Sequence, residues 1–298
     1  VPRLKTLFCL LSVLICASNP GLAQLSVPEL RPIAGARMPA LSPDGQQLAF
    51  VYRGDIWITT AKGGRATPVT DHIETDAFPL FSPDGKWIAF ASKRNGNWDL
   101  YAIPAQGGSA VQLTWHSGTE VAHGWSPDGK NLLFSTRRDG PNHALYALNV
   151  TTLRSEVLCE DFAPMNYANY SPNGQKVVYG RYGFSWTRPR YHGSAAAQIW
   201  LLDLGSSQST RYPLTLNEFQ HLWTRFMPDG QPLATVTVGE ETPAVSTLDH
   251  SIGRVADNPR RTPNLWEFDL AGRGRQLTFF TGGSVRWPTV AGKSGDIA

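Results

Sequence analysis

Cysteine is scarce in this chain: three residues among 298, two of which, Cys9 and Cys16, sit in an apolar N-terminal stretch. A small scaffold stapled by disulfides is therefore excluded. Charge is scarce too, at 17%, where ordinary globular chains carry about a quarter. Low charge with 11% aromatic residues excludes a disordered chain. Beyond the N-terminus no run is long and apolar enough to cross a bilayer as a helix. What is abundant is punctuation: 28 glycines and 22 prolines, with 10 tryptophans beside them. So many breakers exclude a helical bundle. A turn-rich β protein remains.

The N-terminus reads as a secretory leader. Arg3 and Lys5 precede an apolar run over residues 7–17, and Asn19-Pro20-Gly21-Leu22-Ala23 offers small residues before a cut expected after Ala23. The run is short for a membrane anchor, and bulky Ile15 before Cys16 argues against lipid attachment. Residues 1–23 are thus expected to leave and 24–298 to form the mature domain, periplasmic or secreted and free of the membrane. Removing them takes Arg3 and Lys5 away and lowers the formal charge from +3 to +1. A nucleic-acid partner gains nothing from so small a charge. Cys159 then stands alone, and the fold must hold without an internal disulfide.

The strongest signal is repetition. Ser42-Pro43-Asp44-Gly45, Ser82-Pro83-Asp84-Gly85 and Ser126-Pro127-Asp128-Gly129 are one turn written three times, and Ser171-Pro172-Asn173-Gly174 and Met227-Pro228-Asp229-Gly230 are variants. Their prolines are 40, 44, 45 and 56 residues apart. Proline presets the first corner, Asp or Asn tolerates the second, and glycine supplies positive φ. Seven residues after the first four prolines stand Phe50, Phe90, Phe134 and Tyr179; the fifth has Thr235 there. A second strand follows in each unit, around Trp57, Tyr101, Tyr146, Trp200 and Trp266, and a last short one ends at Thr70, Thr114, Cys159, Thr215 and Thr278. Four short strands in each of several like units describe a β-propeller of antiparallel four-stranded blades, which hides sheet edges by radial packing. A sandwich has no reason to repeat one turn at one offset. Cys159, at a position where other units have Thr, reads as a small buried filler. A sixth unit opens at Val285-Arg286-Trp287-Pro288, and Ile297-Ala298 align with Ile88-Ala89. Five blades and the start of a sixth are expected, the N-terminal piece of a longer protein.

Repeated Ser-Pro-Asp-Gly with Ile-Ala-Phe and Asp-Leu-Tyr is shared by many bacterial propellers, the TolB type among them. Two further segments resemble a narrower family. Trp186-Thr187-Arg188-Pro189-Arg190-Tyr191-His192-Gly193, leading to Gln198-Ile199-Trp200, is similar to a stretch of tricorn-type proteases. Phe280-Thr281 followed by Val285-Arg286-Trp287-Pro288 resembles that family's entry to its sixth blade. The resemblance implies the six-bladed N-terminal propeller of a tricorn-type peptidase. It also implies partners in further domains of the same protein: a seven-bladed propeller, a PDZ module and a serine-peptidase core. The propellers are implied to channel peptides and exclude folded proteins. The chain departs from the family in the wider Trp186 segment, in a long polar stretch over 239–263 read as an inserted loop, and between 115 and 125. There no arginine stands where a basic pair can serve the family as a carboxylate anchor.

Catalytic and metal motifs fail when tested. Gly183-Phe184-Ser185-Trp186-Thr187 lacks the final glycine of a nucleophile elbow. His116, Glu120 and His123 are spaced for no common face and read as solvated loop residues. Gly292-Lys293-Ser294 lacks the leading glycine of a phosphate loop, Trp287 standing in its place. The repeated aspartates are explained as turn formers, and Arg137-Arg138 and Arg260-Arg261 as solvated pairs. No cofactor and no metal is expected. One stretch keeps a functional reading: residues 181–192 interleave Arg181, Arg188 and Arg190 with Tyr182, Phe184, Trp186 and Tyr191. Cations beside aromatics suit a peptide carboxylate. Arg181, Trp186, Arg188, Arg190 and Tyr191 are therefore the candidate peptide-binding residues. The expectation is a non-catalytic, exported propeller that docks or channels peptides, with homo-oligomerisation left open. The alternative is a TolB-type periplasmic scaffold for partner proteins; the cap of another exported hydrolase is a third reading.

Overall fold

Each Ser-Pro-Asp-Gly tetrapeptide closes on itself. In the first, the Ser42 hydroxyl donates to Asp44 Oδ1 at 2.6 Å while accepting the Gln47 amide at 2.9 Å, and Asp44 Oδ1 accepts the Gln46 amide at 3.0 Å. Gly45, at φ 71°, donates to the Ser42 carbonyl. Ser82–Asp84 and Ser126–Asp128 repeat the arrangement, and Ser171–Asn173 does so with an amide in place of the carboxylate. These bonds hold the Asp44, Asp84 and Asp128 carboxyls below the usual carboxylate range, the serine hydroxyl being the first cause.

The computed structural model describes residues 31–182, 191, 193–205, 209–217, 219–237, 262–283 and 285–298. The leader read over residues 1–23 and most of the loop read over 239–263 lie outside them. The described residues hold strands and turns and no helix. Within Ala34–Ala298 the five turns join five four-stranded antiparallel sheets. The first comprises β1 (Arg37–Leu41), β2 (Gln47–Tyr52), β3 (Asp55–Thr60) and β4 (Thr67–Pro68). The second comprises β5 (Asp76–Phe81), β6 (Trp87–Ser92), β7 (Asp99–Pro104) and β8 (Val111–Gln112). The third has β9 (Val121–Trp125), β10 (Asn131–Thr136), β11 (His143–Asn149) and β12 (Ser155–Asp161). The fourth has β13 (Met165–Tyr170), β14 (Lys176–Arg181), β15 (Gln198–Asp203) and β16 (Thr210–Pro213). The fifth has β17 (His221–Phe226), β18 (Pro232–Val236), β19 (Asn264–Phe268) and β20 (Gly274–Gln276). Strand order follows the chain in every sheet, and β1, β5, β9, β13 and β17 lie against one another in turn. This is the blade order of a propeller, with the first strand innermost.

The repeated aromatics face one another across the middle of each blade. Phe50 pairs in register with Trp57, Phe90 with Tyr101, Phe134 with Tyr146 and Tyr179 with Trp200. In the fifth blade the partner of Trp266 is Ala234, not Thr235. The reason lies in the turn: Met227 has no hydroxyl, and its amide bonds to Gln231 rather than reaching five residues on, so that blade's register runs one residue early. The threonines that end four units also have a job. The hydroxyls of Thr70, Thr114, Thr215 and Thr278 accept the third-strand amides of Ile56, Leu100, Ile199 and Leu265 at 2.9–3.0 Å. Cys159, at the corresponding point of blade three, packs its sulfur against Met165, and burial pushes its thiol up to about 11.

Every complete inner strand is bulged opposite its neighbour. Met38, Phe78, Tyr167 and Trp223 take φ between 52° and 58° there, and Trp287 takes 49° at the matching point of the sixth unit. Bulky side chains pay roughly 1–3 kcal/mol for such a backbone, which recurs only when the fold over-determines it. The bulges turn aromatic side chains between blades: Tyr167, Trp223 and Trp287 form a contiguous row with centroids 6.1 and 5.7 Å apart. The sixth unit then folds back as a hairpin, with Val290 bridging Ile297 and residues 291–295 forming its turn. That hairpin stands against both ends of the series. Thr289 Oγ1 accepts the buried Leu41 amide at 3.1 Å, Lys293 donates its amide to Pro43, and Gly295 abuts Pro228. Gly292-Lys293-Ser294 thus stands where the other repeats have their turn, although its closing bond, from the Gly295 amide to the Ala291 carbonyl, spans one residue more.

Candidate functional site

The residue that follows each bulge occupies the same register in every repeat. Ala40, Leu80, Gly124, Asn169 and Arg225 oppose Ala49, Ala89, Leu133, Val178 and Leu233 of the second strands, and Thr289 holds the place in the sixth hairpin. All six line one cavity of about 340 Å³ on the propeller axis, with the turn prolines and Lys293 at its turn end. The layer is two-sided: blades one to three contribute Ala, Leu and Gly, whereas the next three positions are Asn, Arg and Thr. Neighbouring blades already use the acceptors of the polar half. Asn169 Oδ1 accepts the Phe226 amide at 3.0 Å, Thr289 Oγ1 accepts Leu41, and the Tyr167 carbonyl accepts the Thr224 hydroxyl at 3.0 Å.

Arg225 is the charge in this layer. Its Nη1 donates to the Thr224 and Tyr167 carbonyls at 3.1 and 3.5 Å. No Asp or Glu is among the described residues that line the cavity. Burial lowers the guanidinium to about 10, which leaves it charged at neutral pH. His123 stands nearby at 5% exposure, its Nε2 2.8 Å from Ser135 Oγ. Burial first, and the Arg225 charge second, hold this imidazole down to about 3. A serine beside a histidine is a nucleophile–base contact in outline, but so weak a base takes no proton from a hydroxyl at neutral pH. Among the described residues no three His, Cys, Asp or Glu side chains are placed to hold a metal ion.

Of the sequence-derived candidates, Trp186, Arg188 and Arg190 lie outside the described residues. Arg181 and Tyr191 lie within them. Arg181 ends β14 and makes a two-pronged pair with Asp161, Nε to Oδ2 at 2.8 Å and Nη2 to Oδ1 at 3.0 Å. Its guanidinium stacks on Phe162, Tyr182 and Trp200, and Arg211 joins the same carboxylate. Tyr191 is half-buried and folds back over Gly193, where a side chain would collide with its ring. The Arg181 arrangement has counterparts in two other blades. Arg94 pairs with buried Asp76 over Phe90 and Tyr101, and Arg138 pairs with buried Glu120 over Phe134 and Tyr146.

Two sequence expectations fail here. Glu120 and His123 are buried rather than solvated: Glu120 is 0% exposed, desolvation raises its carboxyl, and Arg138 is its ion partner. Arg138 is correspondingly part of the fold and not a free surface charge. The available signal was an arginine four residues after Phe90 and Phe134, each with an acid just before or within the preceding inner strand.

These features agree with comparison to known proteins. A family described as the tricorn protease N-terminal beta propeller domain matches residues 35–295. The chain belongs to that family. Among solved structures, a tricorn protease superposes with a TM-score of 0.67 at 20% identity, covering 88% of this chain and 24% of that one. A putative TolB from Agrobacterium tumefaciens superposes with a TM-score of 0.63 at 21% identity, covering 85% and 82%. At these identities the likenesses establish the shared propeller. A segment of 83 residues is 30% identical to the uncharacterized peptidase YuxL of Bacillus subtilis (strain 168), and spans 24% of this chain and 13% of that protein. The tricorn-family propeller therefore matches only a minor part of these two peptidase chains.

Proposed function

We propose that this tricorn-family propeller is a non-catalytic part of an exported serine peptidase, and that it docks or channels unstructured peptides for a catalytic core elsewhere in that protein. The observation that carries the reading is the axial cavity, lined by every repeat in a family whose named member is a protease. Among the described residues the nearest approach to catalytic apparatus is half-buried Ser135 beside buried His123, a histidine of suppressed basicity, which supports a passive role. The match over 35–295 favours a peptidase parent over a TolB-type scaffold. Export, to the periplasm or beyond, rests on the leader pattern in residues 1–23. Trp186, Arg188, Arg190 and Tyr191 are proposed as a further peptide contact. Arg181 would hold the base of that stretch through Asp161.

Incubation of the chain with unstructured peptides, followed by mass spectrometry, tests the passive role. Intact peptides are expected. Cleavage that disappears in Ser135→Ala would overturn it.

A further inference from the structure

The polar half of the axial layer has an unusual balance. Asn169, Arg225 and Thr289 are 56 and 64 residues apart in sequence yet are successive around the axis, because they hold one register position in blades four to six. Their acceptor atoms are engaged by the Phe226 and Leu41 amides. What they have left is donors: Asn169 Nδ2, the Thr289 hydroxyl proton, and Arg225 Nε and Nη2, none of which has an acceptor among the described residues. Arg225 is partly accessible, through the cavity it lines, and among the described residues no carboxylate lines that cavity with it. The other cation lining the cavity, Lys293 at the turn end, adds charge of the same sign. A guanidinium held away from bulk water without a counter-charge is costly. Arg94, Arg138 and Arg181 each have an acid; among the described residues Arg225 has none.

We propose that the axial cavity is an oxyanion-binding site, in which Arg225 supplies the charge and Asn169 and Thr289 supply flanking donors. Its ligand class is a carboxylate or a phosphate-type group small enough for a cavity of about 340 Å³. A guanidinium with two free N–H edges matches the two oxygens of either group. Opposite the donors the lining is apolar: Ala40 and Leu80 accept the ligand's non-polar remainder, and Gly124 lets the Asn169 amide lie close against its backbone. The site stands on this geometry alone, whether or not the propeller handles peptides.

Isothermal titration with inorganic phosphate, and separately with acetate, at fixed ionic strength tests the proposal on the whole chain and on Arg225→Met and Arg225→Lys. The parent is expected to bind at least one of the two anions. Arg225→Met should weaken that binding by about tenfold or more, the effect of losing charge-assisted hydrogen bonds, and Arg225→Lys should fall between. Phosphate alone points to a phosphoryl ligand and acetate alone to a carboxylate; both support the site. A second readout guards against a folding defect. The parent's melting temperature should rise with the bound anion, and Arg225→Met should melt no lower than the anion-free parent because it removes a half-buried charge that has no acid partner among the described residues. If neither anion binds the parent, or Arg225→Met binds both as the parent does, the proposal fails.

Discussion

Replacing Thr215 by Val isolates one hydrogen bond with almost no change of shape. Thr215 is 4% exposed, and its hydroxyl accepts the Ile199 amide at 3.0 Å. The Ile199 carbonyl on the same edge takes the Leu214 amide, and Thr215 Oγ1 is the acceptor for Ile199 N–H. Val keeps the branched outline, but leaves that amide buried and unpaired, which costs about 1–3 kcal/mol. For a domain of this size a loss of about 2 kcal/mol lowers the melting temperature by roughly 4–8 °C. Thermal unfolding followed by near-ultraviolet circular dichroism reads it, with Thr215→Ser as the control that retains the oxygen. Unchanged melting in Thr215→Val, or an equal loss in Thr215→Ser, would refute the assignment of the repeated threonines as strand caps.

Asp161→Ala strands the Arg181 and Arg211 guanidiniums and is expected to cost about 3–5 kcal/mol; an effect under about 1 kcal/mol in urea unfolding would contradict the structural role given to Arg181. His123 and His221 are both buried and neutral, burial holding each at about 3, so the unfolded chain binds more protons below the ordinary histidine range. Stability is then full above about pH 6.5 and declines on acidification, by about 2 kcal/mol per histidine at pH 5. Urea midpoints that stay flat from pH 7 to pH 5 would show that these imidazoles are accessible.

The architecture was written in the turns. Proline, aspartate and glycine at fixed offsets dictate where the chain reverses, and the aromatic seven residues on marks the centre of the second strand. The slip at Ala234 was hidden because it depends on a hydroxyl that Met227 lacks, and its effect on register shows only when strands are paired. Glu120 and His123 looked solvated because the chain between Trp115 and Trp125 carries no strand pattern. Burial there comes from neighbouring blades and from Arg138. The axial layer was illegible for a similar reason. Asn169, Arg225 and Thr289 belong to no motif, and become neighbours only because inner strands with matching bulges set them at one level. Arg181 was noticed as a cation among aromatics, which is correct chemistry, but its partner Asp161 lies 20 residues earlier and across a blade boundary.

A propeller that engages peptides without cutting them should show both properties in one titration. Fluorescence anisotropy of a labelled unstructured decapeptide titrated with the whole chain, with the peptide's mass checked at the end, measures both halves at once. Saturable binding is expected, displaced by unlabelled peptide, with the label still on a full-length decapeptide. No saturable change in anisotropy, or recovery of shortened fragments, would contradict it.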